Sequence, residues 1–220
     1  MLMLAKCIAT ADTVIEIGGH IGFISQYLSK LVGPSGRVIV FEPGSNNLPY
    51  IRENLGNLPN VTLVEVAVSN ICGTTRFYED NVTGQNNSLL PDYEGAEAVA
   101  ESHGVRLKKH VAEVPVTTLD AYVQAHKLRP DFIKMDIEGS ELNALLGSSS
   151  TLEHVRGLMV EVTRHHDAVA SLFRERGFRI FSAEGEELPS RHFSGNIFAL
   201  RAYPDLPKVG IWFGPRLNDR

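Results

Sequence analysis

The chain has 220 residues, 43% hydrophobic and 21% charged, with a formal net charge of −5. This is the composition of a soluble globule, long enough for one core without covalent staples. Its acidic balance, with no run of five like charges, argues against a nucleic-acid backbone as the main partner. Cys7 and Cys72 are too few for a disulfide framework or a cysteine zinc site.

The opening MLMLAKCIATAD lacks a basic leader and has few apolar residues before Lys6, so it predicts a short packing helix. It fits neither a signal peptide nor a membrane span, and the protein is expected in the cytoplasm, with no membrane partner. Residues 13–17 (TVIEI), 37–42 (RVIVFE) and 61–66 (VTLVEV) are short β-branched runs, as strands buried on both faces require. Helical patterns over 20–32 and 45–56 separate them, with a turn at 33–36 (GPSG). This alternation predicts right-handed parallel βαβ units.

From Gly73 to Pro115 the register is lost. TTRFYED (74–80) predicts an added strand, NVTGQNNSLL (81–90) a polar loop, and 93–102 carries mixed helix chemistry. EVPVTTLDAY (113–122) predicts a strand running into a helix capped by Thr117 or Thr118. DFIKMD (131–136) and LMVEV (158–162) are further buried strands, with helices from near Glu138 and over 166–176, the latter ended by Gly177. FRIF (178–181) and NIFAL (196–200) follow, and the absence of a long helix between them predicts antiparallel pairing at a sheet edge. The expected organisation is one domain over 1–220, with a core at about 12–201 and an extended tail over 203–220 in which Trp212 and Phe213 need cover.

Two loops carry chemistry. EIGGHIG places Gly18, Gly19 and Gly22 between the first strand and first long helix, where glycine permits close backbone approach to a ligand. A dinucleotide fingerprint needs glycines at n, n+2 and n+5; here Ile17 stands at the first, so pyrophosphate clamping is weakly supported. Glu16 ahead of that loop suits a ligand bearing an ammonium. Glu42, ending the second strand, can accept ribose hydroxyls, in nicotinamide and adenosyl cofactors alike. The second loop, FIKMDIEGSEL (132–142), gathers Asp136, Glu138 and Glu141 at the carboxyl end of a strand, where ligands of open α/β sheets bind.

With TVIEIGGHIGF (13–23), VIVFEP (38–43), VPVTTLDAY (114–122) and FIKMDIEGSELNALLG (132–147), the chain resembles the FkbM family of S-adenosylmethionine-dependent methyltransferases over about Asp12 to Leu200. NNSLL (86–90) and VEVTRHH (160–166) also stand in matching places. The resemblance implies a doubly wound, Rossmann-like seven-stranded α/β sheet, mostly parallel with an antiparallel last strand. It implies S-adenosyl-L-methionine as cofactor, with Glu16, Gly18 and His20 along its methionyl part. Glu42 and the adjoining Pro43 would hold the ribose, Ala67 and Val68 would frame the adenine, and Asp136 would face the amino group or the acceptor. GGH at 18–20 stands where the family more often has GAN. The first strand begins close to the start of the sequence, so helices that often cover the cofactor are expected to be short or missing.

The implied reaction is O-methylation of a sugar or secondary metabolite, the partner being a small-molecule or glycan acceptor. A hydroxyl acceptor needs its proton removed as the bond forms, and Asp136, Glu138, Glu161 and His165 are the candidate bases, Asp136 and His165 first. Asn87 and Ser88 are candidates for hydrogen-bonding the acceptor. Asp136, Glu138 and Glu161 are also hard-oxygen ligands for a divalent metal, but Glu138 and Glu141 equally suit a helix N-terminus, and metal is not favoured. Two other classes stay open: a nicotinamide oxidoreductase, which lacks here the first fingerprint glycine and a Tyr-x-x-x-Lys relay, and a noncatalytic protein that binds the adenosyl cofactor.

Overall fold

The computed structural model describes residues 2–93, 95–189, 193 and 195–202. The expected tail over 203–220, with Trp212 and Phe213, lies outside them. Seven strands form the main sheet: β1 (Thr13–Ile17), β2 (Arg37–Phe41), β3 (Val61–Val64), β7 (Phe132–Met135), β8 (Gly157–Val162), β9 (Arg179–Ser182) and β10 (Gly195–Leu200). Their order is β3-β2-β1-β7-β8-β10-β9. The first five run parallel, and β10 is antiparallel to both β8 and β9. The last two strands thus pair antiparallel at a sheet edge, as expected, with β9 outermost and β10 one strand inside.

Both faces of this sheet are covered, which is why its strands read as unbroken apolar runs. The period of two divides them. Ile15, Ile17, Ile39, Phe41, Ile133 and Met135 enter one core, and Val14, Val38, Val40 and Phe132 the other. Helix α1 (Leu2–Cys7) adds Met3 and Leu4 to the second core, as its apolar opening predicts. Helix α2 (Phe23–Val32) begins three residues later than its pattern suggests, because His20 and Gly22 hold left-handed φ angles of 50° and 86°. Helix α3 (Leu48–Leu55) starts at Leu48 with proline in its first turn, a position where the missing N–H costs no helical bond.

After β3 the chain leaves the main sheet. β4 (Ala67–Val68), β5 (Gly73–Asp80) and β6 (Lys109–Thr117) form a three-stranded sheet in the order β4-β6-β5. The ambiguous stretch contains α4 (Gly95–Ser102). Thr118 caps α5 (Leu119–Ala125), accepting the Ala121 N–H at 3.1 Å. The helix expected near Glu138 is α6 (Glu141–Leu146), followed by α7 (Ser149–Leu152); α8 (His166–Glu175) matches its pattern. Strand order reverses between β1 and β7, so the crevice at their carboxyl ends is the switch point where such sheets bind ligands.

Candidate active site

A cavity of about 560 Å³ opens at that crevice. The ends of β1, β2, β7 and β8 each deliver a carboxylate to it: Glu16, Glu42, Asp136 and Glu161. Glu16 is fully buried because it alternates with Ile15 and Ile17 in a covered strand. Its register partner on β7 is Lys134, buried for the same reason. The Lys134 Nζ lies 3.6 Å from Glu16 and 3.5 Å from Asp136, and donates to the Gly18 carbonyl at 3.0 Å. Burial pulls the Lys134 ammonium toward deprotonation, but Glu16 and Asp136 outweigh it and hold its pKa above the ordinary lysine value. Ser25 donates to Glu16 Oε2 at 2.5 Å, while the buried Oε1 is the oxygen that faces Lys134 Nζ.

The glycine loop wraps over these groups. Gly18 has φ 86°, and a Cβ there would stand 1.9 Å from the Asp136 carbonyl oxygen, so only glycine lets the first loop lie against the end of β7. His20 donates its backbone N–H to Glu42 at 2.8 Å, and its ring Nε2 meets the Thr83 carbonyl at 3.0 Å. Glu42 also accepts from Gly44 N–H at 2.9 Å and Asn47 Nδ2 at 3.2 Å. Burial nevertheless pushes its carboxyl up to about 7. Ala67 and Val68 form a buried apolar wall of the same cavity, and Gly19 and Pro43 also line it. Gly22 lies outside the lining; it is the left-handed N-cap of α2.

Asp136, Glu138 and Glu161 line the same cavity, each offering a carboxylate oxygen within 4.8 Å of the other two. Burial, then the charges of Asp136 and Glu141, push Glu138 up to about 7, against a hydrogen bond from Tyr93. Burial, a hydrogen bond with Asp136 and three neighbouring carboxylates push Glu161 up to about 8. These groups can exchange a proton near neutral pH, and their spacing also suits hard-oxygen coordination of a divalent cation. Glu138 sits at φ 55°, uncommon for a residue with a side chain.

The remaining predicted residues serve other contacts, and of these Asn87 alone lines the cavity. Glu141 turns back onto its own helix start and accepts Ile137 and Gly139 N–H groups. His165 is exposed, as the left-handed N-cap of α8, and does not line the cavity. Asn87 lines the cavity, but its amide is engaged by Asp80 N–H and Asn46. Ser88 is buried behind the lining and donates to the Glu138 carbonyl at 2.7 Å. Sequence reasoning missed Lys134, whose signal was a charge inside the apolar run FIKM, and it missed Tyr93, Asn47 and Ser25, which carry no such signal.

Residues 16–180 match the Methyltransferase FkbM domain. The chain is 26% identical over 203 residues to methyltransferase sdnD of Sordaria araneosa, covering 81% of this chain and 78% of that protein. It is 27% identical to 2-O-methyltransferase NoeI of Sinorhizobium fredii, over 67% of this chain and 62% of the relative. Hexuronic acid methyltransferase AglP of Haloferax volcanii is 24% identical over 69% of this chain and 56% of its own length. The chain thus spans less than two thirds of NoeI and AglP. Among the described residues, no helix is long and apolar enough to cross a membrane.

Proposed function

The chain belongs to the FkbM methyltransferase domain family, and from that premise we propose that it moves a methyl group from S-adenosylmethionine to a hydroxyl of a sugar or secondary metabolite. One observation carries the acceptor reading: proton-accepting carboxylates line the same cavity as the glycine loop. NoeI and AglP, by their names a 2-O-methyltransferase and a hexuronic acid methyltransferase, support a hydroxylated, sugar-like acceptor.

The residues fit the cofactor. Glu16, a buried carboxylate that accepts one hydrogen bond from Ser25 and pairs with Lys134, suits its ammonium. Glu42 uses three acceptor positions on its neighbours and keeps a further lone pair for a ribose hydroxyl. Ala67 and Val68 suit a planar base. When bound, the cofactor supplies an electrophilic methyl on a sulfonium, already a good leaving group. The protein's work is then alignment, an effect worth up to roughly 7–11 kcal/mol in favourable cases. Lys134 braces Glu16, Asp136 and the Gly18 carbonyl and so fixes the loop against β7. The carboxylate group of Asp136, Glu138 and Glu161 takes the acceptor's proton, and the raised pKa values of Glu138 and Glu161 match a base working near neutrality.

The test is release of S-adenosylhomocysteine with a panel of sugars and polyketide-like alcohols. Wild type should turn over at least one, and Glu138→Gln and Asp136→Asn should lower kcat by about 10²-fold or more. Full activity in both variants would remove the carboxylates from the mechanism. A second reading, favoured by the 4.8 Å grouping, has the same three residues hold a divalent cation that activates the acceptor. Activity lost on EDTA dialysis and restored by Mg²⁺ would select it.

A further inference from the structure

We propose a second ligand site, at the opposite end of the sheet from the active site, that takes a small phosphate-type oxyanion. A cavity of about 520 Å³ lies there. It is built at the amino ends of β1, β2 and β3 from Thr13, Arg37 and Thr62, from the turn over 33–36, and from Lys127 and Arg129 ahead of β7. Small-molecule sites span roughly 300–1,000 Å³, so the space suits one compact ligand. Three basic residues border it, and none of its lining residues is an Asp or Glu. The side chains of Arg37, Lys127 and Arg129 form no hydrogen bond or ion pair with any described residue. The acids nearest to them in sequence are occupied: Asp12 and Asp131 hold Arg156, and Asp131 also accepts the Thr13 N–H at 2.9 Å.

The walls are fixed by the fold itself. Alternation along β2 puts the Arg37 side chain on the face of Ile39 and Phe41, the face against which Leu128 packs. Leu128 also donates its N–H to the Val123 carbonyl at 3.0 Å, so Lys127 and Arg129 flank an anchored residue. On the other side, Asn60 accepts from Ser29 at 2.7 Å and donates to the Gly33 carbonyl at 2.9 Å, tying the turn to the loop ahead of β3. A cleft lined by one sign of charge focuses its field and concentrates counter-ions. Arginine forks match two phosphate oxygens at once, and lysine adds a point charge. The chain's net charge of −5 disfavours a long polyanion, and the volume suits a small one.

The probes are inorganic pyrophosphate and glucose 6-phosphate, titrated by calorimetry into the full chain with and without S-adenosylhomocysteine. At least one should bind saturably at a single site, equally in both conditions, and raise Tm above sodium chloride at matched ionic strength. The tighter of the two tells a free ion from a phosphate ester. In amide NMR of wild type, Gly36 and Leu128 should move on binding while Gly18 and Gly19 stay. Arg37→Gln combined with Arg129→Gln should weaken binding by about 10-fold or more, the scale of losing charged hydrogen bonds. Melts no higher than in matched chloride overturn the inference, as does binding that the double variant retains. Competition by S-adenosylhomocysteine, or amide shifts confined to the glycine loop, would place the anion in the active site and overturn it as well.

Discussion

Replacing Lys134 with Met tests the electrostatic centre of the site. Glu16 has no exposed surface and Lys134 almost none, so the substitution strands a carboxylate where water cannot reach it. Breaking a buried pair by removing one partner costs about 3–5 kcal/mol. For a chain of this length each kcal/mol moves Tm by roughly 2–4 °C, so a fall of about 6–20 °C is expected near pH 7.5. In the variant Glu16 escapes part of the penalty by protonating. A carboxyl whose folded pKa lies above its unfolded value of about 4.3 gives stability that is full below that value and lost as pH rises. The gap between variant and wild type should therefore be widest at neutral to alkaline pH and close toward pH 5. Calorimetric melts at pH 5, 6.5 and 8 read this directly. Glu16→Gln added to Lys134→Met should recover part of the loss, because it removes the stranded charge. A gap under about 2 °C at pH 7.5, or one that widens on acidification, would refute the argument.

Gly18→Ala must move the loop or the β7 end by about 1.5 Å to relieve a contact of 1.9 Å, and displacements near 1 Å cost about 10² in rate; titration calorimetry with S-adenosylmethionine and turnover should both show the loss. Glu138 and Glu161, raised to about 7 and about 8, contribute stability that is complete below about pH 4.3 and lost through those values. The ligand-free Tm should thus decline from pH 6 to pH 9, and the double Gln variant should flatten that slope in fluorimetric melts. Asp80→Asn weakens a carboxylate that accepts N–H groups from Val82, Thr83, Gly84 and Asn86; hydrogen bonds to a charged group are worth about 1.5–3 kcal/mol, and limited proteolysis should cut faster between residues 81 and 87.

The sheet was legible because burial on both faces leaves a sequence little choice but apolar β-branched runs at Thr13–Ile17, Arg37–Phe41 and Phe132–Met135. Glu16, Glu42 and Asp136 were legible for the complementary reason, as carboxylates at or near the ends of such runs. The division of labour among the acids was not. Spacing brought Asp136, Glu138 and Glu141 together, yet only backbone geometry decides that Glu141 serves its own turn while Glu138, at a positive φ, faces the cavity. His165 looked suitable by chemistry and position, but a left-handed N-cap leaves it exposed.

The segment between β4 and β6 was hardest to read, and it shapes the site most. It reaches the glycine loop through Thr83 and His20, the loop after β2 through Gly84 and Asn47, and the Glu138 turn through Ser88 and Tyr93. These are polar contacts across tens of residues, several made by backbone carbonyls that any residue supplies, so no periodicity records them. His20 is the exception. A left-handed backbone favours Asn, Asp and His among residues with side chains, so His and the Asn of the family's usual GAN both satisfy the turn. They differ in reach, since the imidazole Nε2 stands farther from the backbone than an amide nitrogen. In this chain that reach ends on the Thr83 carbonyl. His20 thus ties the glycine loop to the segment between β4 and β6, across 63 residues of chain, through one side chain.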